Sequence, residues 1–268
     1  MGHNPQKIKE RILKQQEQNI TENKINPTNT FVGVDALVGM PQEPIMANNV
    51  YRGDCLELMK MMDDKSVNLI VTDPPYFLPA QHYNTRRKFM RNFGDLGVLE
   101  HFYKSLFVEY ARILKDEGSF YVFCDGQSYP LFYYHAYPFA KNLRPIIWDK
   151  MTSLNGYGWR HQHELILWAE MPGAKPIPTG DGDIIKCRAV KVEERQHPAE
   201  KPVDLLKILI EKSSDEGDLI LDTFGGAGTT SLACKATNRN YIIFENEPMY
   251  YEIIKNNVAS YKPKLTIL

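Results

Sequence analysis

Residues 67–76 read VNLIVTDPPY, an apolar run that ends in an acid, two prolines and a tyrosine. The run Val67–Ile70 is typical of a strand buried in a parallel sheet. Aspartate and proline do not suit the interior of such a strand, and a simple turn needs one proline at most. This stretch alone leaves two interpretations about equally supported, namely a turn that ends the strand and a functional site.

Short apolar runs alternate with helical stretches from Asn48 onward. This alternation predicts an α/β fold with a seven-stranded, mainly parallel, doubly wound sheet. Ligands of such sheets bind beyond the carboxyl ends of the strands. The predicted strands are Asn49–Gly53, Val67–Thr72, Ser119–Cys124, Arg144–Trp148, Glu164–Ala169, Asp218–Asp222 and Tyr241–Phe244, and the predicted helices are Leu56–Met62, Gly97–Leu114, Gln127–Lys141, Pro202–Ser213, Thr229–Thr237 and Pro248–Ser260.

The composition narrows the class of protein. A net charge of −1 excludes a uniformly basic nucleic-acid coat protein but is compatible with a local basic patch. The four cysteines are far apart and form no CxxC pair, so we expect reduced thiols and neither a metal site nor a disulfide framework. The N-terminus lacks an apolar signal core, and no stretch approaches the ~20 apolar residues that span a bilayer. These observations predict a soluble, cytoplasmic protein without a membrane partner.

The chain divides into two regions by its pattern. Residues 1–47 combine a polar helical stretch with an arm rich in proline, glycine and small residues, and they carry no recognisable chemistry. Residues 48–268 contain the alternating pattern and are expected to form the main domain. Within it, residues 170–196 are rich in proline, glycine and charge, and a loop of that length inside a compact domain is usually functional or disordered.

A second loop follows the predicted strand Asp218–Asp222, where residues 222–230 read DTFGGAGTT. Glycines allow the backbone to turn sharply and to approach a ligand, and the following helix presents free N–H groups at its start. The next strand ends at Glu245, where an acid is suited to the two hydroxyls of a ribose. The loop is not the full GxGxxG fingerprint. The loop therefore has two interpretations, namely a binding site for a nucleoside-containing cofactor and a structural tight turn.

The residues Asp73-Pro74-Pro75-Tyr76 have a specific chemical use. Each proline fixes φ and removes an N–H group, which stiffens the loop. The Asp73 side chain and the Pro74 carbonyl can then project as two fixed acceptors, which match the two N–H donors of an exocyclic amine. Tyr76 supplies a flat face on which a ring can stack. The sequence thus predicts a pocket for an aromatic amine such as the N6 group of adenine.

Together these motifs resemble those of the S-adenosylmethionine-dependent DNA amino-methyltransferases. DPPY resembles their catalytic motif in its adenine-N6 version, whereas cytosine-N4 enzymes more often carry serine in place of the aspartate. DTFGGAGTT resembles their cofactor loop, although Thr223 stands where proline is usual and residues 243–245 read IFE where the common form is glycine-isoleucine-glutamate. His197–Pro202, HPAEKP, is similar to the HPxxKP segment beside the methionine part of the cofactor. DPPY precedes the glycine-rich loop, which resembles the circularly permuted β class.

The resemblance implies a Rossmann-like methyltransferase sheet with an antiparallel hairpin, S-adenosyl-L-methionine as the cofactor, and methylation of an adenine flipped out of duplex DNA. It also implies that residues 48–268 form the methyltransferase catalytic domain, with a short target-recognition insertion at residues 170–196. The protein is expected to be encoded by a bacterium, an archaeon or a phage. A homodimer and a restriction endonuclease partner are both left open. The implied catalytic residues are Asp73, Pro74, Pro75 and Tyr76. The implied cofactor-binding residues are Asp54, Cys55, Asp73, His197, Lys201, Asp222, Thr223, Phe224, Gly225, Gly226, Gly228, Thr229, Thr230, Glu245 and Asn246. The expected DNA-binding residues are Arg86, Arg87, Lys88 and Arg91, in the loop after DPPY, with Lys186 and Arg188.

Three alternatives remain at this point. Two acceptors suit any exocyclic amine, so the same fold could methylate cytosine N4 or RNA adenine. A non-catalytic DNA-binding regulator could retain the fold, although it would have no use for intact DPPY and cofactor motifs. A nicotinamide-dependent oxidoreductase would leave DPPY unexplained.

Overall fold

The computed structural model of the chain describes residues 44–75, 96–152, 158–174 and 180–262. Within them, one eight-stranded sheet separates two layers of helices. The strands are β1 (Asn49–Arg52), β2 (Val67–Thr72), β3 (Leu114–Cys124), β4 (Asn142–Asp149), β5 (His163–Glu170), β6 (Ile184–Lys186), β7 (Leu219–Asp222) and β8 (Asn240–Glu245). The helices are α1 (Cys55–Lys60), α2 (Leu96–Ile113), α3 (Tyr129–Ala136), α4 (Val203–Ser213), α5 (Thr229–Ala236) and α6 (Pro248–Ser260).

Most strands of the sheet run in the same direction. The order is β1-β8-β7-β2-β3-β5-β4-β6, and every pair is parallel except those that β5 makes with β3 and β4. Seven strands therefore end at the same edge of the sheet, which we call the carboxyl edge. The predicted α/β class and the antiparallel hairpin, formed by β4 and β5, are confirmed, and β6 adds an eighth strand to the seven expected.

The apolar run of β2 is explained by burial on both faces of the sheet. Leu69 and Val71 pack into one apolar cluster, while Val67 and Ile70 pack into the other, and all four are inaccessible to water. Such two-sided burial is typical of a central parallel strand. Helices α1 to α3 cover one face and α4 to α6 cover the other.

Helix α3 is shorter than predicted. The sequence suggested Gln127–Lys141, but the helix ends at Ala136. Pro138 lies just beyond that end. A proline clashes with the preceding turn and restricts the residue before it, so the helix stops there. Pro130, by contrast, stands in the first turn, where a missing N–H is harmless.

The interval 170–196 spans both edges of the sheet. Met171 N donates to Gly118 O at 3.0 Å and Gly173 N donates to Asp116 O at 2.9 Å, which holds the start of the interval at the edge opposite the carboxyl edge. Strand β6 then returns along β4, and Lys186 is its last residue. Residues 186–196 are thus the part of the interval that begins at the carboxyl edge, and the target-recognition role of this interval stays a prediction.

Several predicted features lie outside the described residues. They include Tyr76, the basic residues of the loop after DPPY, and residues 1–43 of the N-terminal region. No helix in the described parts of the chain is long and apolar enough to cross a membrane. The same parts contain no group of three or more histidine, cysteine or acidic residues placed to hold a metal ion.

Candidate active site

Two loops leave adjacent strands at the carboxyl edge. Asp73–Pro75 follow β2, residues 223–228 follow β7, and the two strands pair in parallel. Thr72 Oγ1 donates to Asp222 Oδ1 at 2.8 Å, and it accepts from the backbone N–H of Thr223 at 3.2 Å. The predicted catalytic loop and the predicted cofactor loop are therefore joined where they begin.

Asp222 accepts hydrogen bonds from both ends of the glycine-rich loop. Its side chain is only 4 % exposed, Thr230 Oγ1 donates to Oδ2 at 2.6 Å, and Phe224 N donates to Oδ1 at 3.1 Å. Burial raises the pKa of Asp222 to about 6, against the lowering effect of the donors Thr230, Phe224 and Thr72. Both oxygens already accept from protein groups. These contacts indicate that Asp222 shapes the loop, and direct contact with a cofactor stays a prediction.

The unusual Thr223 extends this network. Its Oγ1 lies 2.6 Å from the Tyr110 hydroxyl of α2 and 3.1 Å from Thr72 Oγ1. Proline, which is usual here, has neither the hydroxyl nor the N–H through which Thr223 contacts Thr72. The substitution thus links helix α2 to the strand ends by hydrogen bonds.

The glycines of the predicted cofactor loop meet backbone and steric requirements. Gly226 and Gly228 have φ values of +54° and +79°, a region that strongly favours glycine. A Cβ on Gly228 would also lie 2.7 Å from Ile254 Cγ2. Gly226 N donates to Glu245 Oε2 at 2.8 Å, so the loop folds back onto the end of β8.

The acids beside this loop fit a nucleoside. Glu245 accepts from Glu247 N and Gly226 N, both at 2.8 Å, and each carboxylate oxygen keeps a further lone pair for a ribose hydroxyl. Burial raises the pKa of Glu245, while its backbone donors act in the opposite direction. Asp54, at the end of the neighbouring strand β1, caps α1 by accepting from Leu56 N at 2.9 Å. These carboxylate acceptors are thus suited to an adenosine-containing cofactor.

The remaining cofactor candidates differ in exposure. Thr229 is half-buried in the first turn of α5, and Asn246 is exposed beyond β8. Phe224 is half-buried, with an edge-on contact to Phe102. The Cys55 thiol, in contrast, lies in the apolar core, where burial raises its pKa. Cys55 therefore contributes packing through its side chain.

The predicted catalytic loop contacts a residue that the sequence did not single out. The Tyr103 hydroxyl of α2 donates to the Pro75 carbonyl at 2.7 Å. The Tyr103 ring is inaccessible to water and packs edge-on against Phe132. A buried tyrosine needs a partner for its hydroxyl, which is the signal that sequence reasoning could have used. The partner itself depends on the tertiary fold.

Lys201 contacts the predicted catalytic loop. Its Nζ lies 2.5 Å from Asp73 Oδ2 and 3.0 Å from Glu164 Oε1, and the side chain is 8 % exposed. Burial lowers the pKa of Lys201, but the carboxylates of Asp73 and Glu164 raise it more, so the net shift is upward. The sequence placed Lys201 with the cofactor and did not assign Glu164 to the site. Cofactor binding by Lys201 stays a prediction.

His197 packs beside the glycine-rich loop. Its ring makes an edge-on contact with Tyr250, and a Cβ on Gly226 would lie 3.3 Å from it. Its Nδ1 accepts from Ala199 N at 3.2 Å. Burial and the Lys201 ammonium lower the pKa of His197 to about 4. The imidazole is therefore neutral at physiological pH.

Exposed cationic and aromatic residues lie at the same edge of the sheet as the two loops. Lys186 and Arg188 are exposed at the end of β6, and Trp159, Arg160 and His161 are exposed in the connection between β4 and β5. Since β4 and β6 run parallel to each other and β5 starts where β4 ends, all five lie at the carboxyl edge. We call these five residues the rim.

Comparison with known proteins decides the family. The model of a family described as DNA methylase, covering N6 and N4 enzymes, matches residues 67–256. The chain belongs to this family of DNA methylases. The predicted membership is thereby confirmed, and so are S-adenosylmethionine as the cofactor and DNA as the substrate.

Three relatives illustrate the likeness of this DNA methylase to other members. It is 29 % identical over 254 residues to the type II methyltransferase M.HinfI of Haemophilus influenzae, covering 81 % of this chain and 69 % of that protein. The crystal structure of the M1.HpyAVI–SAM complex has a TM-score of 0.61 and 24 % identity, covering 80 % and 99 % of the two chains. The cytosine-N4-specific PvuII DNA methyltransferase has a TM-score of 0.64 and 18 % identity, covering 83 % and 89 %. Both structural likenesses support the fold.

Replacing Thr72 with valine removes the hydroxyl that donates to Asp222 while preserving shape. Because a buried carboxylate then loses a donor, we expect the free energy of unfolding to fall by about 1–3 kcal/mol. The affinity for S-adenosylmethionine should fall as well, since the glycine-rich loop loses its anchor. Urea denaturation and calorimetric titration measure the two effects.

Thr237→Val is the matched control for this variant. Thr237 is another buried threonine, and its hydroxyl donates to the Ala233 carbonyl at 2.8 Å near the end of α5. Its replacement should cost stability without changing cofactor affinity. Equal affinity in the Thr72→Val variant and the wild type would contradict the anchoring role of Thr72.

The low pKa of His197 predicts a dependence of stability on pH. The pKa falls from its usual 6.5 to about 4 on folding, so the stabilising contribution of the neutral ring is present above pH 6.5 and is lost as the pH falls toward 4. His197→Asn retains an acceptor for Ala199 N but does not titrate. The stability of the wild type relative to this variant should therefore decrease between about pH 7 and pH 5 in urea denaturation. A constant difference would contradict the lowered pKa.

Proposed function

We propose that this DNA methylase transfers the methyl group of S-adenosylmethionine to the N6 amine of an adenine flipped out of duplex DNA. One observation carries the proposal. The stiff acceptor loop Asp73–Pro75 lies beside the glycine-rich loop, and the Thr72–Asp222 hydrogen bond joins them. An amine acceptor site and a nucleoside site at adjacent strand ends are what methyl transfer to a base requires.

The chemistry assigned to the catalytic loop is activation of a poor nucleophile. The adenine N6 lone pair is delocalised into the ring. Hydrogen bonds from the two N6–H groups to the Asp73 carboxylate and the Pro74 carbonyl would favour a pyramidal nitrogen with a localised lone pair. The cofactor supplies an electrophilic methyl group on its sulfonium. The task of the protein is then to position the adenine and to stabilise the charge that develops on it. We assign the hydrogen bond from Tyr103 to Pro75 to this task, because it holds the acceptor loop in place.

The cofactor is assigned to the glycine-rich loop and its flanking acids. Glu245 would accept the ribose hydroxyls, and Asp54 would lie near the adenosine end. The backbone of residues 224–228 would line the methionine end, beside the neutral His197 ring. The predicted residues Gly225, Gly226, Gly228, Thr229, Thr230 and Asn246 keep these roles as part of the proposal.

The rim is assigned to DNA. Lys186 and Arg188 would contact phosphates, as would Arg86, Arg87, Lys88 and Arg91 of the predicted basic loop. Trp159 is fully exposed at the same edge, and we assign it a stacking role in the gap that a flipped base leaves. An exposed indole contributes little to the packing of the protein itself, which favours a role in binding.

The N6 position is preferred over cytosine N4 because aspartate opens the DPPY motif, as the resemblance to adenine-N6 enzymes implies. The PvuII enzyme shares the fold and is cytosine-N4-specific, so the target base is the property to test first. The type II name of M.HinfI supports a restriction–modification role. A restriction endonuclease partner, a homodimer and a cytoplasmic location stay predictions.

The proposal is tested by identifying the modified base. Purified protein and S-adenosylmethionine are incubated with duplex DNA from a methylation-free host, with single-stranded DNA and with RNA, and the nucleosides are analysed by mass spectrometry. We expect N6-methyldeoxyadenosine from the duplex. N4-methyldeoxycytidine, methylated RNA or no product would each contradict the proposal.

Asp73→Ala should lower methyl transfer by at least about 100-fold, since an electrostatic group at the reacting amine is lost. Affinity for the cofactor should change little. Asp116→Ala is the control, because Asp116 pairs with Lys65 in exposed positions at the opposite edge of the sheet. Retained turnover in Asp73→Ala would exclude Asp73 from catalysis.

The rim predicts a salt-dependent contribution to DNA binding. Lys186→Ala combined with Arg188→Ala should raise the KM for DNA with little change in kcat. The slope of log affinity against log salt concentration should decrease by about 2, since each phosphate contact releases counterions. Lys60→Ala combined with Lys65→Ala, two exposed lysines outside the rim, is the control. An unchanged slope in the first pair would contradict the assignment.

A further inference from the structure

Four charged side chains of alternating sign run from the catalytic loop into the antiparallel hairpin. Lys201 Nζ lies 2.5 Å from Asp73 Oδ2 and 3.0 Å from Glu164 Oε1, and Glu164 Oε2 lies 2.9 Å from Lys150 Nζ. The side chains of Asp73, Lys201, Glu164 and Lys150 are 19, 8, 12 and 21 % exposed. Charged side chains that are largely buried are costly to the fold unless an opposite charge pairs with them. We call these four residues the charge row.

Lys201 is the branch point of the charge row. Its ammonium group carries three hydrogens. The three acceptors around it are Asp73, Glu164 and the Ala199 carbonyl at 3.3 Å, and the Phe123 ring lies 4.9 Å away. These contacts hold the Lys201 ammonium group in one position. The ammonium group in turn orients the Asp73 carboxylate.

Glu164 also divides the attraction of Lys201 between two carboxylates. If Glu164 were neutral, Lys201 would lose one of its two ionic partners and would pair more closely with Asp73. A carboxylate in a tighter ion pair is a weaker hydrogen-bond acceptor for another donor, because its charge is already compensated. The sharing of Lys201 therefore preserves the acceptor strength of Asp73 toward an incoming amine.

We propose that Glu164 is a positioning residue of methyl transfer, which acts through Lys201 to orient Asp73 and to preserve its acceptor strength. This inference rests on the proposed function and extends it to a residue of strand β5. Glu164 is brought to the site because β5 runs antiparallel to β3 and thus begins at the carboxyl edge. Lys150, at the end of β4, balances the second oxygen of Glu164.

Two routes from Glu164 to activity make different predictions. If Glu164 acts through Asp73, its loss lowers the rate of transfer and leaves cofactor affinity nearly unchanged. If it acts by keeping Lys201 in place for the cofactor, its loss weakens cofactor affinity to the same degree as activity. Measurement of kcat beside the cofactor Kd separates the two routes.

The test is Glu164→Gln, which preserves shape and removes the charge. We expect kcat for duplex DNA to fall by about 10- to 100-fold, as small displacements of catalytic groups do. The KM for DNA and the cofactor Kd should change by less than about threefold, which is small beside the loss of transition-state stabilisation. The thermal midpoint is measured in parallel so that activity is compared between folded proteins.

Glu109→Gln is the matched control. Glu109 is 18 % exposed and pairs with Arg112 at 2.7 Å, so it is buried to a similar degree. It lies near the end of α2, just before β3 begins, and therefore at the edge opposite the site. Its loss measures the effect of removing a largely buried ion pair without touching the catalytic loop, and kcat should remain within about twofold of the wild type.

Three outcomes overturn the inference: an unchanged kcat in Glu164→Gln, a loss of cofactor affinity that matches the loss of activity, or an equal loss of kcat in Glu109→Gln. If Glu164→Gln does not fold, Lys150→Met combined with Glu164→Met removes both hairpin charges, and the same comparison applies. A wild-type protein that methylates no nucleic acid would refute the proposed function and this inference together. Methylation by the wild type with unchanged kcat in the variant refutes only the role of Glu164.

Discussion

The hydrogen bond between Thr72 and Asp222 is the contact on which the site depends. It joins the end of the strand that carries the proposed catalytic loop to the end of the strand that carries the glycine-rich loop. Asp222 is buried, and its raised pKa reflects a carboxylate that is costly to ionise in the fold. Three protein donors compensate that cost, and the same donors define the loop. Stability and loop geometry are therefore linked at one buried carboxylate.

Sheet topology supplies the rest of the site. Parallel strands β2 and β7 bring the two loops together at the carboxyl edge, although the loops are far apart in the chain. Strand β5 enters the sheet in the opposite direction, so its first residues reach the same edge and Glu164 contacts Lys201. The permuted order of the motifs is compatible with this arrangement, because adjacency in the sheet does not require adjacency in the sequence.

Local patterns predicted the elements that are bounded by strong signals. Strand β2 and helix α6 were predicted to the residue, since an apolar run ends at an acid in one case and a proline starts the helix in the other. Strand β6 was missed because three residues at a sheet edge leave too short a pattern. The predicted helix Gln127–Lys141 continues past Pro138, whereas α3 ends at Ala136 because proline is a stop signal for a helix.

The sequence by itself determined the chemistry that is available, since two prolines after an acid make a stiff acceptor and spaced glycines after a strand make a close-approach loop. The tertiary structure alone decided the partners of those groups. Tyr103 on Pro75, Thr223 on Tyr110, and Lys201 between Asp73 and Glu164 are contacts between distant parts of the chain. Such contacts depend on strand order and on burial, which drives each polar group to find a partner, and a local sequence pattern contains neither.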